Sequence, residues 1–154
     1  MKLILKHSPT NWIDIDEEVK FKIDYLTDAQ EDKLDELIFE MNYIMTLPED
    51  YNNLEKEEKT KELIKIINDL TPEQKARFDV INKKYYRYYL KFTIKDWKGI
   101  KDGDGNEVNC KVINDELDTR LWQGLIKNLS LNDMITIAEK IKKELEFTEV
   151  DKKK

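Results

Sequence analysis

Few residues in this 154-residue chain have the type and spacing that chemistry needs. Asp102, Asp104 and Asn106 alternate as D-x-D-x-N, matching the first three ligands of a calcium-binding loop. The match stops there. The sixth position, where glycine makes the sharp turn, is Glu107, and the twelfth, where a glutamate closes the cage, is Ile113. A hairpin turn accounts for this stretch better. His7 is the only histidine and has no cysteine or carboxylate at ligand spacing, which argues against zinc clusters, two-histidine metal sites and catalytic triads. Cys110, the only cysteine, cannot form an internal disulfide, and a lone thiol beside a hairpin reads as a small packed residue before it reads as a nucleophile. Carboxylates are abundant, but none sits in an apolar setting that would tune it for acid or base work, and no glycine loop cradles a phosphate. The expectation is a chain that is not an enzyme and uses no cofactor or metal.

A different chemistry is offered by residues 75–101, with nine bases against two acids and tyrosines interleaved at 85, 86, 88 and 89. Tyrosines could stack nucleobases while Lys and Arg hold phosphates. The same pattern also suits a helix whose Tyr85, Tyr88/Tyr89 and Phe92 are core and whose lysines are solvated. Four tyrosines in five residues cannot all face inward, so Tyr86 is expected to be half exposed. The net charge of −6 weighs against nucleic-acid binding by the whole chain. That charge is uneven. Residues 14–58 carry 16 acids and 4 bases, a balance of −12, whereas residues 59–154 carry 17 acids and 21 bases, a balance of +4. Either the two regions neutralise each other or the acidic one meets a basic partner.

Hydrophobic residues make up 40% and charged residues 39%, enough apolar content for a core. The size suits a single domain over 1–154, with ends fraying over roughly 1–10 and 148–154. No run is long enough for a membrane span or a signal-peptide core, so a cytoplasmic protein with no membrane partner is expected.

The elements follow from spacing. Trp12–Ile15 and Val19–Tyr25 alternate and predict a hairpin across Asp16-Glu17-Glu18. Thr27 and Gln30 form a capping box for a helix over 28–45 carrying Leu34, Leu37, Ile38, Met41 and Ile44, stopped ahead of Leu47-Pro48. Residues 54–70 are helical with Leu63, Ile66, Ile67 and Leu70 on one side. Thr71-Pro72-Glu73-Gln74 then starts the longest helix, 72–95. After Trp97, the turn Asp102–Asn106 predicts a second short hairpin between Ile100 and Val108–Cys110. Asn114 is expected to cap a helix over 115–129, and Ser130 or Asn132 the last one. The fold class is α+β, mainly α-helical, with about five helices and two short β-hairpins.

Trp97-Lys98-Gly99-Ile100-Lys101-Asp102-Gly103-Asp104-Gly105-Asn106-Glu107-Val108 resembles the W-x-G-(I/V)-x-D-x-(D)-G-x-x-(V/I) stretch of small tail-assembly proteins of tailed phages and prophages. The extended piece Trp12–Thr27, leading to Leu26-Thr27 and a helix, is similar as well, so the resemblance covers 12–27 and 85–129. It implies a mostly helical, non-enzymatic protein of the host cytoplasm. It further implies a tail assembly chaperone that shields the tape-measure protein and helps recruit tail-tube subunits, with self-association left open. Trp97, Trp122 and Tyr86 are the contacts expected to bind the partner, against the alternative that both tryptophans are core. Two other functions remain open from the residues: an inhibitor presenting the acidic 14–58 surface to a basic host protein, and a nucleic-acid binder using 75–101.

Overall fold

Alternating side chains near the start of the chain form two antiparallel strands, β1 (Asn11–Asp14) and β2 (Lys20–Ile23), with Ile13 opposite Phe21 and Trp12 opposite Lys22. The computed structural model describes the backbone of residues 11–152 and the side chains of residues 11–146. The first ten residues, including His7 and the end expected to fray, lie outside the described residues, as do residues 153–154. No glycine makes the β1–β2 turn. Instead the Asp16 carboxylate accepts from the amides of Glu18 (3.0 Å) and Val19 (2.9 Å).

Helix α1 (Asp28–Met45) opens on the expected capping box: Thr27 N donates to Gln30 Oε1 at 3.0 Å and Gln30 N to Thr27 Oγ1 at 3.2 Å. It closes at Thr46, whose φ of 50° ends the helical run before Pro48. A short 3-10 turn (Tyr51–Asn53) leads to α2 (Lys56–Asn68). A second reciprocal pair, Thr71 with Gln74 at 3.0 and 3.2 Å, starts α3 (Pro72–Thr93).

Several boundaries differ from the sequence expectation. The long helix stops at Thr93, not 95, because Ile94 opens strand β3 (Ile94–Lys98). β3 pairs antiparallel with β2, placing Trp97 opposite Phe21 and Ile94 opposite Ile23, all four buried. The β-branched Thr93-Ile94 pair favours that switch. The second difference concerns the hairpin. Across residues 100–108 a single bridge forms, Lys101 with Glu107. The two-stranded ladder lies further on, between β4 (Val112–Ile113) and β5 (Glu116–Leu117). Asn114 and Asp115 take φ values of 52° and 62°, the two left-handed residues that a mirror-image hairpin turn requires. Asn114 is therefore a turn residue and no helix cap. Asp118 caps α4 (Thr119–Lys127) instead, accepting from the amides of Arg120 (3.1 Å) and Leu121 (3.3 Å). Ser130 starts α5 (Leu131–Lys152) in reciprocal bonds with Asp133. That helix runs to Lys152. No proline or glycine interrupts it, and its Glu and Lys residues favour helix. The class is as expected: mainly helical α+β, with five α-helices, a three-stranded antiparallel sheet ordered β1-β2-β3 and a two-stranded one among the described residues.

The chain gathers into two compact units, one formed by the residues up to Gln30 with those from Tyr86 onward, the other by Glu31–Tyr85. In the first, Phe21, Ile23, Leu90, Ile94 and Leu117 are buried, as are Met134, Ile137, Ala138, Ile141 and Leu145 at helical spacing on α5. Lys140 Nζ donates to Ile15 O at 3.1 Å and Tyr25 OH to Leu145 O at 3.2 Å, tying α5 to the β1–β2 segment. In the second unit Met41, Ile44 and Phe78 form a small buried cluster, with Ile67, Leu70, Ile81 and Tyr85 packed against it half-buried. α2 buries none of its residues completely, as its charged first half suggested.

Gly99 holds the first unit's tightest approach. Its φ is +85°, and a β-carbon there would lie 1.9 Å from the Glu18 carbonyl oxygen. Gly99→Ala is expected to cost about 3 kcal/mol or more in a urea titration, combining left-handed strain with a backbone clash. Gly103→Ala, whose added carbon meets nothing within 4 Å, should stay within about 0.5 kcal/mol of the parent.

Candidate docking site

The three expected contact residues are all engaged within the first unit. Trp97 is only 5% exposed, and its indole Nε1 donates to Val108 O at 2.7 Å. In this conformation it packs and braces the return of the loop, leaving almost no surface for a partner. Trp122 is half-buried, with Nε1 donating to Arg87 O at 2.7 Å, its ring 5.6 Å from that of Tyr88, and the Lys91 ammonium 4.9 Å from its centroid. Tyr86 is half-buried, as expected, with Lys142 at 5.8 Å from its ring. Tyr89 is buried, and Tyr88 stacks against Phe92 at 5.6 Å as well as on Trp122. The tyrosine-rich run thus presents no open row of rings on which bases could stack.

The D-x-D-x-N stretch is also accounted for by backbone geometry. Asp102 Oδ1 accepts from the amides of Asp104 (2.9 Å) and Asn106 (3.0 Å), so the carboxylate closes its own turn. Val108 N donates to Ile100 O at 2.8 Å and Gly99 N to Glu107 Oε1 at 3.2 Å. Among the described residues no three His, Cys, Asp or Glu side chains come together as metal ligands, and no helix is long and apolar enough to cross a membrane. Burial lowers the Lys95 ammonium, opposed by the charges of Asp115, Asp24 and Glu116, and its Nζ donates to the Asp115 carbonyl. Burial raises the Cys110 thiol from 9.0 to about 11, with Asp96 adding to the shift and a backbone hydrogen bond at Lys111 opposing it.

The unexpected surface lies in the second unit. Of seven large apolar side chains exposed among the described residues, five (Ile38, Phe39, Tyr43, Ile64 and Val80) belong to Glu31–Tyr85, so exposed apolar surface is concentrated there. Phe39 is 73% exposed, Tyr43 78% and Val80 67%. On α1 the buried residues Leu34, Leu37, Met41 and Ile44 fall on one side at 100° per residue, and Phe39 and Tyr43 stand on the opposite side, one turn apart. Helix α1 therefore has an apolar stripe for its own core and an aromatic pair turned to water. Three shallow grooves meet along this face. Phe39 and Glu40 line one with Asp32, Asp35 and Glu36; Glu40 and Val80 line the next with Ala76 and Arg77; Arg77 and Tyr43 line the third. Sequence reasoning passed over Phe39 and Tyr43 because attention went to the stripe that forms the core. Their absence from that stripe was the available signal.

No known protein family, characterised protein or solved structure matches this chain.

The thiol gives a direct check of the first unit. With its folded value about two units above 9.0, Cys110 should hold roughly a hundredfold less thiolate at pH 8 and react correspondingly slowly with a disulfide reagent. Urea should abolish that protection. Because the folded value is the higher one, the thiol's contribution to stability is present below pH 9 and lost as pH rises through about 11.

Proposed function

We propose that this chain is a non-enzymatic accessory protein that works by binding another protein through the outward face of α1 and the neighbouring part of α3. One observation carries the reading: Phe39 and Tyr43, opposite the core side of their own helix, are 73% and 78% exposed. Two aromatic rings held one turn apart on a rigid helix are suited to act as interface anchors, because they offer large apolar area with little side-chain entropy to lose. The adjoining grooves would receive side chains from a partner.

The resemblance of Trp97–Val108 to small phage tail-assembly proteins supports a specific version of this function. In that version the chain is a tail assembly chaperone, and the partner is the tape-measure protein, a long apolar helix that needs shielding until the tail tube closes around it. The grooves formed by α1 and α3 suit a helical client better than a small molecule, since they are shallow and open along their length.

The test is co-expression with the tape-measure protein of the same genome, followed by size exclusion with light scattering. A soluble complex holding several copies of this chain is expected, and Phe39→Ala/Tyr43→Ala should weaken it at least about tenfold. The double variant should keep its stability to within about 0.5 kcal/mol of the parent, read from thermal unfolding, because neither ring belongs to the core. A tape-measure protein that stays insoluble while this chain elutes alone would remove the chaperone reading. Retention of the complex by the double variant would remove α1 as its surface.

A further inference from the structure

The charges around the aromatic pair narrow down the partner's chemistry. Helix α1 carries two adjacent rows at four-residue spacing, Asp32-Glu36-Glu40 and Asp35-Phe39-Tyr43, all exposed. Successive members of a row rise by about 6 Å, and each row spans about 12 Å, a little over two turns of helix. Across the three grooves the lining includes four carboxylates (Asp32, Asp35, Glu36 and Glu40) and a single cation, Arg77. None of the four carboxylates is engaged by a hydrogen bond or ion pair within the described residues. The apolar anchors therefore sit beside a row of unneutralised negative charge.

We infer that the partner segment is a cationic amphipathic helix. It lies along α1 with its apolar side chains over Phe39, Tyr43 and Val80, and with lysine or arginine at four-residue intervals facing Asp32, Glu36 and Glu40. This inference rests on the docking face proposed above and adds the class of partner. Ridges at i±4 on one helix pack into the grooves between such ridges on another, so the two rows of α1 define a register as well as a sign of charge. An acidic helix could satisfy the aromatic pair but would oppose like charges along the second row, which is a repulsive element, and a neutral helix would leave the carboxylates uncompensated. Nucleic acid is excluded from this face by the same carboxylates.

The experiment uses the full chain and three synthetic peptides of 18 residues. One has leucines at helical spacing flanked by lysines, one has glutamates in place of the lysines, and one is a scrambled lysine peptide with the same composition. Binding is followed by fluorescence anisotropy at low and at elevated salt. The lysine peptide should bind at least about tenfold more tightly than either control, and its affinity should fall by about tenfold on adding salt to 0.3 M. Glu36→Lys/Glu40→Lys should reverse the preference between the lysine and glutamate peptides, and Phe39→Ala/Tyr43→Ala should abolish binding of both. Equal binding of the lysine and glutamate peptides, or an affinity unchanged by charge reversal, overturns the cationic partner. The docking face itself would still stand on its aromatic dependence. Self-association of the chain that disappears in Phe39→Ala/Tyr43→Ala, with no peptide binding, overturns the inference in favour of a second copy as the occupant. Binding of the scrambled peptide as tightly as the ordered one reduces the effect to bulk charge and also overturns it.

Discussion

The change from helix to strand at Thr93–Ile94 constrains the first unit more than any other step in the chain. No loop intervenes: Thr93 is the last helical residue and Ile94 the first of β3. Thr93 is fully buried, its hydroxyl donating to Tyr89 O at 2.8 Å and its carbonyl accepting from Asp24 N at 3.0 Å. Both of its polar groups are thereby satisfied where no water could reach them, which a buried turn must achieve to be tolerable. The register of β3 on β2 follows from this anchor. From the register follow the seating of Trp97 opposite Phe21 and the close passage of Gly99 by Glu18. The Trp97 indole then ties down Val108, and the chain returns in position to form β4 and β5.

The aromatic residues divide into two kinds. Around α3, α4 and β3 they pair with one another, with backbone carbonyls and with lysines: Tyr88 with Phe92 and Trp122, Trp122 with Lys91, Trp97 with Val108. These rings complete a unit that would otherwise have a thin outer layer, since α4 buries no residue entirely. Phe39 and Tyr43 have a different status. They add nothing to the core beneath them, and solvation of two aromatic rings on a regular helix carries a cost that the fold itself does not explain. Their exposure is what the proposed binding function would draw on.

Capping signals were the most legible part of the sequence. Thr27/Gln30 and Thr71/Gln74 each fixed a helix start to the residue, because the reciprocal bonds are local and need no tertiary partner. The β1–β2 hairpin was legible for the same reason, through strict alternation. The misplaced elements depended on distant segments. Helical spacing runs on through Phe92, and only pairing with β2 turns Ile94 into a strand. Asn114 has the chemistry of a cap and of a left-handed turn alike, and the β4–β5 pairing decides between them. For Trp97 the sequence leaves both readings open, a partner contact or core, because the same apolar area serves an interface and fills a sheet face, and the β2 pairing decides for the core. The exposed aromatic face of α1, proposed as a docking face, was less visible because it is defined by what α1 does not bury.

The two units also differ in how the ribosome delivers them. Glu31–Tyr85 is one uninterrupted stretch, so its cluster of Met41, Ile44 and Phe78 can close on nearby contacts as soon as that stretch has emerged. The other unit is built from both ends of the chain. Phe21 and Ile23 are made early, but Trp97 and Ile94, which pair with them, arrive more than seventy residues later, and α5 later still. Throughout that interval the β1–β2 ribbon carries an unpaired edge and an apolar face, the form in which nascent chains are most prone to pair with the wrong neighbour. Its brevity at four residues per strand and the lysines on β2 limit that hazard. Synthesis order thus sets a waiting time for one unit that the other does not share.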